Sequence, residues 1–127
     1  MAEMNKDHNR VVWMDIPVAD LARASAFYEQ VLGLPVHQEA VGEVAFAVLD
    51  HGQGNGACLI VQPDRVGSLG PLVYLNVNGR IRAAEAAVTA QGGRVEQAIH
   101  AIGPHGYRAL IIDSEGNRLA LHSETDQ

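Results

Sequence analysis

Several residue types are scarce in this sequence, and each scarcity excludes a class of protein. Cys58 is the one cysteine, so no intramolecular disulfide can form. There is no run of Lys and Arg, and the formal net charge of −6 argues against a nucleic-acid partner or an anionic membrane. No apolar stretch is long enough to span a bilayer, and the first ten residues are polar. We therefore expect a cytoplasmic protein.

The remaining composition is typical of a globular domain with an ordinary core. The chain has 127 residues, of which 47% are hydrophobic. A chain of this length fits one domain and buries roughly two-thirds of its unfolded surface. We expect residues 1–9 to form a flexible N-terminus and residues 10–127 a single domain. Cys58 stands among apolar neighbours, which favours a buried core thiol over a reactive one.

The pattern of the first half predicts a strand, a helix and three further strands. Val11 to Val18 is predicted as the first strand, and Asp20 stands where a helix N-cap belongs. Apolar residues then recur at helical spacing up to Leu32, and Gly33 is a plausible helix stop. Three short strand-like runs follow, at 35–39, 44–49 and 57–62, with glycine-rich turns between them.

The second half repeats this order. Strands are predicted at 72–77, 94–99, 107–112 and 119–123, with a helix at 80–91. The segment 113–117 (DSEGN) is predicted as an Asx-type turn. Residues 16–18 align with 75–77, and Gly33 aligns with Gly93 after one inserted residue. This repeat indicates module one at 10–66 and module two at 70–124. We expect a homodimer, and the sequence leaves open whether the modules pair within one chain or between two chains.

These residues resemble a known superfamily. The stretch WMDIPVADLARASAFYEQVLG (13–33) is similar to the opening of glyoxalases and bleomycin-resistance proteins, and LVYLNV, GYRALIIDSEGN and RLALHS (72–77, 106–117, 118–123) resemble the second module. The superfamily is the vicinal-oxygen-chelate superfamily, which also contains extradiol dioxygenases. The resemblance implies an α+β fold of two tandem βαβββ modules that form a curved, cavity-enclosing sheet. It also implies a small-molecule ligand.

The metal positions of the superfamily carry unsuitable side chains in this sequence. Metal-using members hold a divalent ion with His, Gln and Glu from four strands. The matching positions here are Trp13, Leu72, Ala120 and either Ile60 or Cys58. Trp, Leu, Ala and Ile offer no lone pair for such an ion, so we expect no metal and no cofactor. A shift of two residues would offer His122, and His100 with His105 is an alternative supported only by loop spacing.

Strand alternation assigns residues to a predicted cavity. Val12, Met14, Ile16 and Val18 should face the helix, which leaves Asp15 on the cavity side. The residues predicted to contact a ligand are Trp13, Ile60, Leu72, Tyr74, Asn76, His105, Tyr107 and Ala120. His105 and Tyr107 belong to the loop 100–107, which is either a lid over the cavity or an ordinary connection. Alternation does not assign the side on which Arg108 lies.

Three functions compete at this point. The first is a metal-independent module that binds an apolar or aromatic compound. The second is a metal-free lyase or isomerase that acts on a small carbonyl compound, with Asp15 and His122 as acid and base. The third is a metal-dependent lyase or dioxygenase, against which the side chains at the metal positions count. We rank the binding module first.

Overall fold

The computed structural model describes residues 9–127 as two four-stranded sheets, each carrying one helix on one face. The prediction of a flexible N-terminus falls, apart from Asn9, outside these residues. Module one comprises β1 (Trp13–Val18), α1 (Leu21–Leu32), β2 (Val36–Val41), β3 (Val44–Leu49) and β4 (Gly56–Val61). Its strand order is β1-β4-β3-β2, with β1 parallel to β4 and the other pairs antiparallel.

Module two repeats this topology. It comprises β5 (Val73–Asn76), α2 (Ile81–Ala90), β6 (Arg94–Ala101), β7 (Tyr107–Ile112) and β8 (Arg118–Ser123), in the order β5-β8-β7-β6. Again the first and last strands of the module are parallel, and the other pairs are antiparallel. The predicted α+β fold with two βαβββ modules is confirmed. None of the described helices is long and apolar enough to cross a membrane.

The two ends of α1 follow the local signals that predicted them. Asp20 has extended backbone angles, and its side chain accepts a hydrogen bond from the Arg23 amide at 3.0 Å. Gly33 ends the helix at φ +67°, where its N–H donates to the Glu29 carbonyl at 3.0 Å. A side chain at this φ would be strained, so glycine suits the helix stop.

The loop predicted at 100–107 is shorter than expected. β6 continues to Ala101 because His100 and Ala101 pair with Arg108 and Tyr107 of β7. Only Gly103–His105 then forms a short 3₁₀ helix between the strands. The glycines and the proline of this segment belong to that tight connection, and the interpretation of His100 as a loop residue was wrong.

The core lies where the two helices pack against each other and against their sheets. Phe27 and Tyr28 of α1 have no exposed surface, and their rings meet edge to face with centroids 5.1 Å apart. A Cβ atom on Gly93 would lie 2.8 Å from the Phe27 ring and 2.5 Å from the Ile112 carbonyl oxygen. Glycine at this position therefore permits the close approach of module two to α1.

The predicted turn 113–117 is confirmed, and it binds module two to module one. Asp113 is buried, and its Oδ1 accepts hydrogen bonds from the amides of residues 115, 116 and 117 at 2.8 to 2.9 Å. Its Oδ2 accepts from the Tyr28 hydroxyl of α1 at 2.6 Å. Burial, followed by the Asp113 carboxylate, raises the pKa of Tyr28 well above 10.0, so the hydroxyl keeps the proton that it donates. The Asn117 amide donates to the Pro17 carbonyl of β1 at 2.8 Å.

Glu115 of the same turn caps the start of α1. Its Oε1 accepts from the amides of Ala19 and Asp20, each at 2.9 Å, and its Oε2 lies 2.7 Å from Arg23 Nε. Burial by itself would raise the pKa of this carboxyl. The hydrogen bonds from Arg23, the two amides and Ser114 outweigh it and lower the pKa from 4.5 to about 2.

We expect Glu115→Gln to remove a pH-dependent contribution to stability. Because the folded-state pKa lies below the unfolded one, the carboxylate stabilises the fold above about pH 4.5, and this contribution disappears as the pH falls towards 2. The difference in the free energy of unfolding between wild type and variant should therefore narrow across that range in urea titrations. Glu43→Gln, at an exposed turn position, is the control. A difference that does not change with pH would contradict this account.

We expect Tyr28→Phe to lower the free energy of unfolding by about 1–3 kcal/mol, because Asp113 would lose a buried donor. Tyr107→Phe is the control, since Tyr107 packs against the core and its hydroxyl has no hydrogen bond within residues 9–127. Urea denaturation measures both. Equal losses in the two variants would show that the contact with Asp113 contributes nothing.

Candidate functional site

Each sheet has one face under its helix and one helix-free face. Ile16 and Val18 lie in the core on the helix side, as alternation predicted, and this places Asp15 on the helix-free face. In module two, Leu119 and Leu121 lie in the core, so their neighbour Ala120 lies on the helix-free face. The strand register places Cys58 beside Asp15 and Tyr74 beside Ala120.

The helix-free face of module one is largely apolar. Trp13 meets the His51 ring edge to face at 5.5 Å, and Ile60 lies beside Pro17 in the register. The Cys58 thiol donates to Asp15 Oδ1 at 3.2 Å and is 5% exposed. Burial and then the hydrogen bond with Asp15 raise the pKa of Cys58 to about 11. The expected buried thiol is confirmed.

The helix-free face of module two carries a polar cluster. Arg108 lies opposite His122 in the β7–β8 register, which settles its side of the sheet. Its Nη1 donates to the Tyr74 hydroxyl at 2.5 Å and its Nε to His100 Nε2 at 3.0 Å. His122 lies beside Tyr74, with ring centroids 6.3 Å apart, and its Nε2 donates to the His105 carbonyl at 2.7 Å. Sequence reasoning missed His100 and Arg108 as partners because their contact depends on the pairing of β6 with β7.

The positions of His105 and Tyr107 in the structure differ from those predicted for the segment 100–107. His105 supplies its backbone carbonyl to His122, while its side chain is exposed. Tyr107 packs against the core with Ala109 and Ile111, because alternation along β7 places these three residues on the helix side. Tyr107 therefore does not face the helix-free side as expected.

A cavity of about 680 Å³ lies between the edge strands β1 and β5. Its wall is mostly apolar and includes Val11, Met14, Leu32, Leu34, Leu49, Ala57, Val73 and Leu75. Its polar side chains are Asp50, His51, Asn55, Tyr74 and Asn76. The Asn55 amide donates to the Val11 carbonyl, and Asn55 Oδ1 is the one buried side-chain polar atom within residues 9–127 that has no partner.

Two of the predicted ligand contacts, Tyr74 and Asn76, line this cavity. The others, Trp13, Ile60, Leu72, His105, Tyr107 and Ala120, do not line it. The cavity opens at the edges of the sheets, so residues of both strand faces reach it, including Met14 and Leu75 from the helix side. The predicted contacts and the cavity lining therefore share Tyr74 and Asn76, and the other predicted contacts stay predictions.

The side chains of this chain do not fit the divalent ion that metal-using members of the superfamily hold. The four expected positions carry Trp13, Leu72, Ala120 and either Ile60 or Cys58. Across residues 9–127 no three His, Cys, Asp or Glu side chains lie close enough to hold an ion. In addition, both ring nitrogens of His100 are engaged, by Arg108 and by the Ala98 carbonyl.

Asp15 and His122 lie on different sheets and have different hydrogen-bond partners. Asp15 lies on the sheet of module one and binds Cys58, whereas His122 lies on the sheet of module two and binds the His105 carbonyl. No hydrogen bond connects the two side chains in the described part of the chain. Their joint action as acid and base on one substrate stays a prediction.

Comparisons with known proteins agree with the fold. Residues 10–48 match the family model described as bleomycin resistance protein-like N-terminal. A "Glyoxylase-like domain-containing protein" from Didymella fabae is 25% identical over 120 residues, which cover 90% of this chain and 93% of the relative.

Solved structures extend this agreement to the whole fold. A glyoxalase/bleomycin resistance protein from Albidiferax ferrireducens T118 superposes with a TM-score of 0.70 at 17% identity, covering 91% of this chain and 98% of that one. The fosfomycin resistance protein FosX from Listeria monocytogenes has a TM-score of 0.68 at 10% identity, covering 91% and 93%. The resemblance predicted from the sequence is confirmed: the chain is similar to glyoxalase-like and bleomycin-resistance proteins and shares their fold.

We expect Cys58 to react slowly with iodoacetamide at neutral pH. Its pKa of about 11, against an ordinary 9.0, lowers the thiolate fraction roughly a hundredfold. The measurement compares alkylation of the folded protein with that of the urea-unfolded protein by mass spectrometry. Equal rates in the two states would contradict the buried, hydrogen-bonded thiol.

Proposed function

We propose that this protein binds a small, partly apolar or aromatic molecule in the cavity between β1 and β5, without a metal ion. The observation that carries the proposal is the cavity itself. A volume of about 680 Å³ lies within the range of roughly 300–1,000 Å³ that is usual for small-molecule sites. Apolar walls with few polar groups are also the usual composition of such sites.

The polar groups of the cavity suit a ligand with an aromatic body and a hydrogen-bonding end. Tyr74 is 45% exposed and offers a ring for packing. Asn55 Oδ1, which has no partner within residues 9–127, lies at the cavity wall and is an acceptor for a ligand donor. An unpaired buried acceptor costs about 1–3 kcal/mol, which a bound donor would offset.

The metal-free character of the site is part of the proposal. A variant of FosX from Listeria monocytogenes has been solved with Mn(II) and a dihydroxypropylphosphonic acid, so the fold can accommodate a bound metal ion. This chain has Trp13, Leu72 and Ala120 at the positions where the superfamily's metal ligands are expected. These side chains offer no ligand atoms for a divalent ion, which supports binding without a metal.

A second copy of the chain is proposed to complete the site. β1 and β5 are edge strands: each pairs with one strand only, β4 and β8 respectively. Exposed edges are usually covered or paired in stable proteins. Val11 is 69% exposed beside one edge and Tyr74 lies on the other, so a two-fold partner that covers these edges would enclose the cavity.

We expect naphthamide, a neutral aromatic amide that fluoresces, to bind saturably to wild-type protein. Leu34→Gln should weaken this binding several-fold, because Leu34 lines the cavity and is 40% exposed. Leu69→Gln is the matched control, since Leu69 is 97% exposed and does not line the cavity. Fluorescence titration measures the dissociation constants. Equal affinities for the two variants, or no saturable binding to wild type, would refute the proposed site.

We expect no heat of binding when Ni²⁺, Zn²⁺, Mn²⁺ or Fe²⁺ is titrated into the protein in a calorimeter. Naphthamide affinity should likewise be unchanged after dialysis against a chelator. Stoichiometric binding of one ion per chain would contradict the metal-free site and would favour a metal-dependent lyase or dioxygenase instead.

A further inference from the structure

Arg108 is a half-buried cation whose charge no acidic side chain neutralises. Its guanidinium lies on the helix-free face of module two, where it contacts Tyr74 and His100. Within residues 9–127 no carboxylate oxygen lies within salt-bridge distance of Arg108. Arg118, on the same face, instead lies 2.7 Å from Glu96 Oε1. A partly buried charge without a counter-ion is costly, which points to a ligand as the missing partner.

The neighbours of Arg108 orient it but carry no charge. His100 Nδ1 faces the Ala98 carbonyl at 2.8 Å, so this nitrogen carries the proton. His100 Nε2 then has a free lone pair and accepts from Arg108 Nε, which identifies the ring as neutral. The Tyr74 hydroxyl accepts from Nη1, while Nη2 has no hydrogen bond in the described residues. A guanidinium that is held in one orientation and has an unused N–H donor is suited to bind an anionic oxygen group.

Tyr74 connects this guanidinium to the cavity. Its side chain lines the cavity wall, and its hydroxyl lies 2.5 Å from Arg108 Nη1. The Arg108 carbon Cζ lies 6.0 Å from the centroid of the Tyr74 ring. A ligand packed against Tyr74 can therefore place an anionic group on Arg108 while its apolar body remains between β1 and β5.

We infer that Arg108 binds the anionic oxygen group of the ligand, either a carboxylate or a phosphate, at the Tyr74 side of the cavity. This inference rests on the proposed function and specifies its ligand as an aromatic or apolar acid. Tyr74 and His100 position the guanidinium through Nη1 and Nε, which leaves Nη2 as the donor for the anionic group.

The test compares three probes that share one ring: naphthamide, naphthoate and naphthyl phosphate. Wild type should bind at least one of the two anions roughly tenfold more tightly than naphthamide, because a charge-assisted pair replaces a neutral contact. The anion that binds more tightly identifies the ligand class as carboxylate or phosphate. Arg108→Gln should remove this preference, and urea denaturation of the variant shows independently that it is folded.

Arg118→Gln is the matched control, because Arg118 lies on the same face but is paired with Glu96. It should retain the preference for the anion. Three results would overturn the inference: equal binding of amide and anions by wild type, a preference that survives in Arg108→Gln, or equal loss of all three probes in that variant. If no probe binds wild type, naphthamide included, the proposed function itself fails.

Discussion

The structure depends above all on the buried carboxylate of Asp113. Its two oxygens accept three amides of its own turn, the Asn117 side chain and the Tyr28 hydroxyl of the other module. A carboxylate buried without such partners would be strongly destabilising. The hydrogen bonds to Asp113 therefore fix the conformation of the turn 113–117. This turn places Glu115 at the start of α1 and Asn117 at the end of β1.

This connection also determines where a ligand can bind. The turn and the packed helices join the modules, while the edge strands β1 and β5 remain unpaired with each other. The cavity lies between these two edges, and residues of both strand faces line it. Met14 and Leu75, which pack against the core, form part of the apolar wall of this cavity. Tyr74 and Asn76 provide polar groups.

The helix boundaries, the repeat and the turn could be predicted because their causes lie within a few residues. Asp20 caps the helix that it precedes, and Gly33 ends it with a backbone conformation that glycine adopts freely. The Asx-type turn closes on the backbone of its own residues. The end of β6 was mispredicted because His100 becomes a strand residue only by pairing with β7.

The sequence by itself thus determined the fold class, the resemblance to the superfamily and the absence of suitable side chains at the expected metal positions, because all of these are properties of local pattern and residue type. The tertiary structure alone decided which side chains meet. It placed Arg108 on the helix-free face, in contact with Tyr74 and His100. These contacts depend on strand register and on the packing of two modules, which alternation along a single strand does not specify.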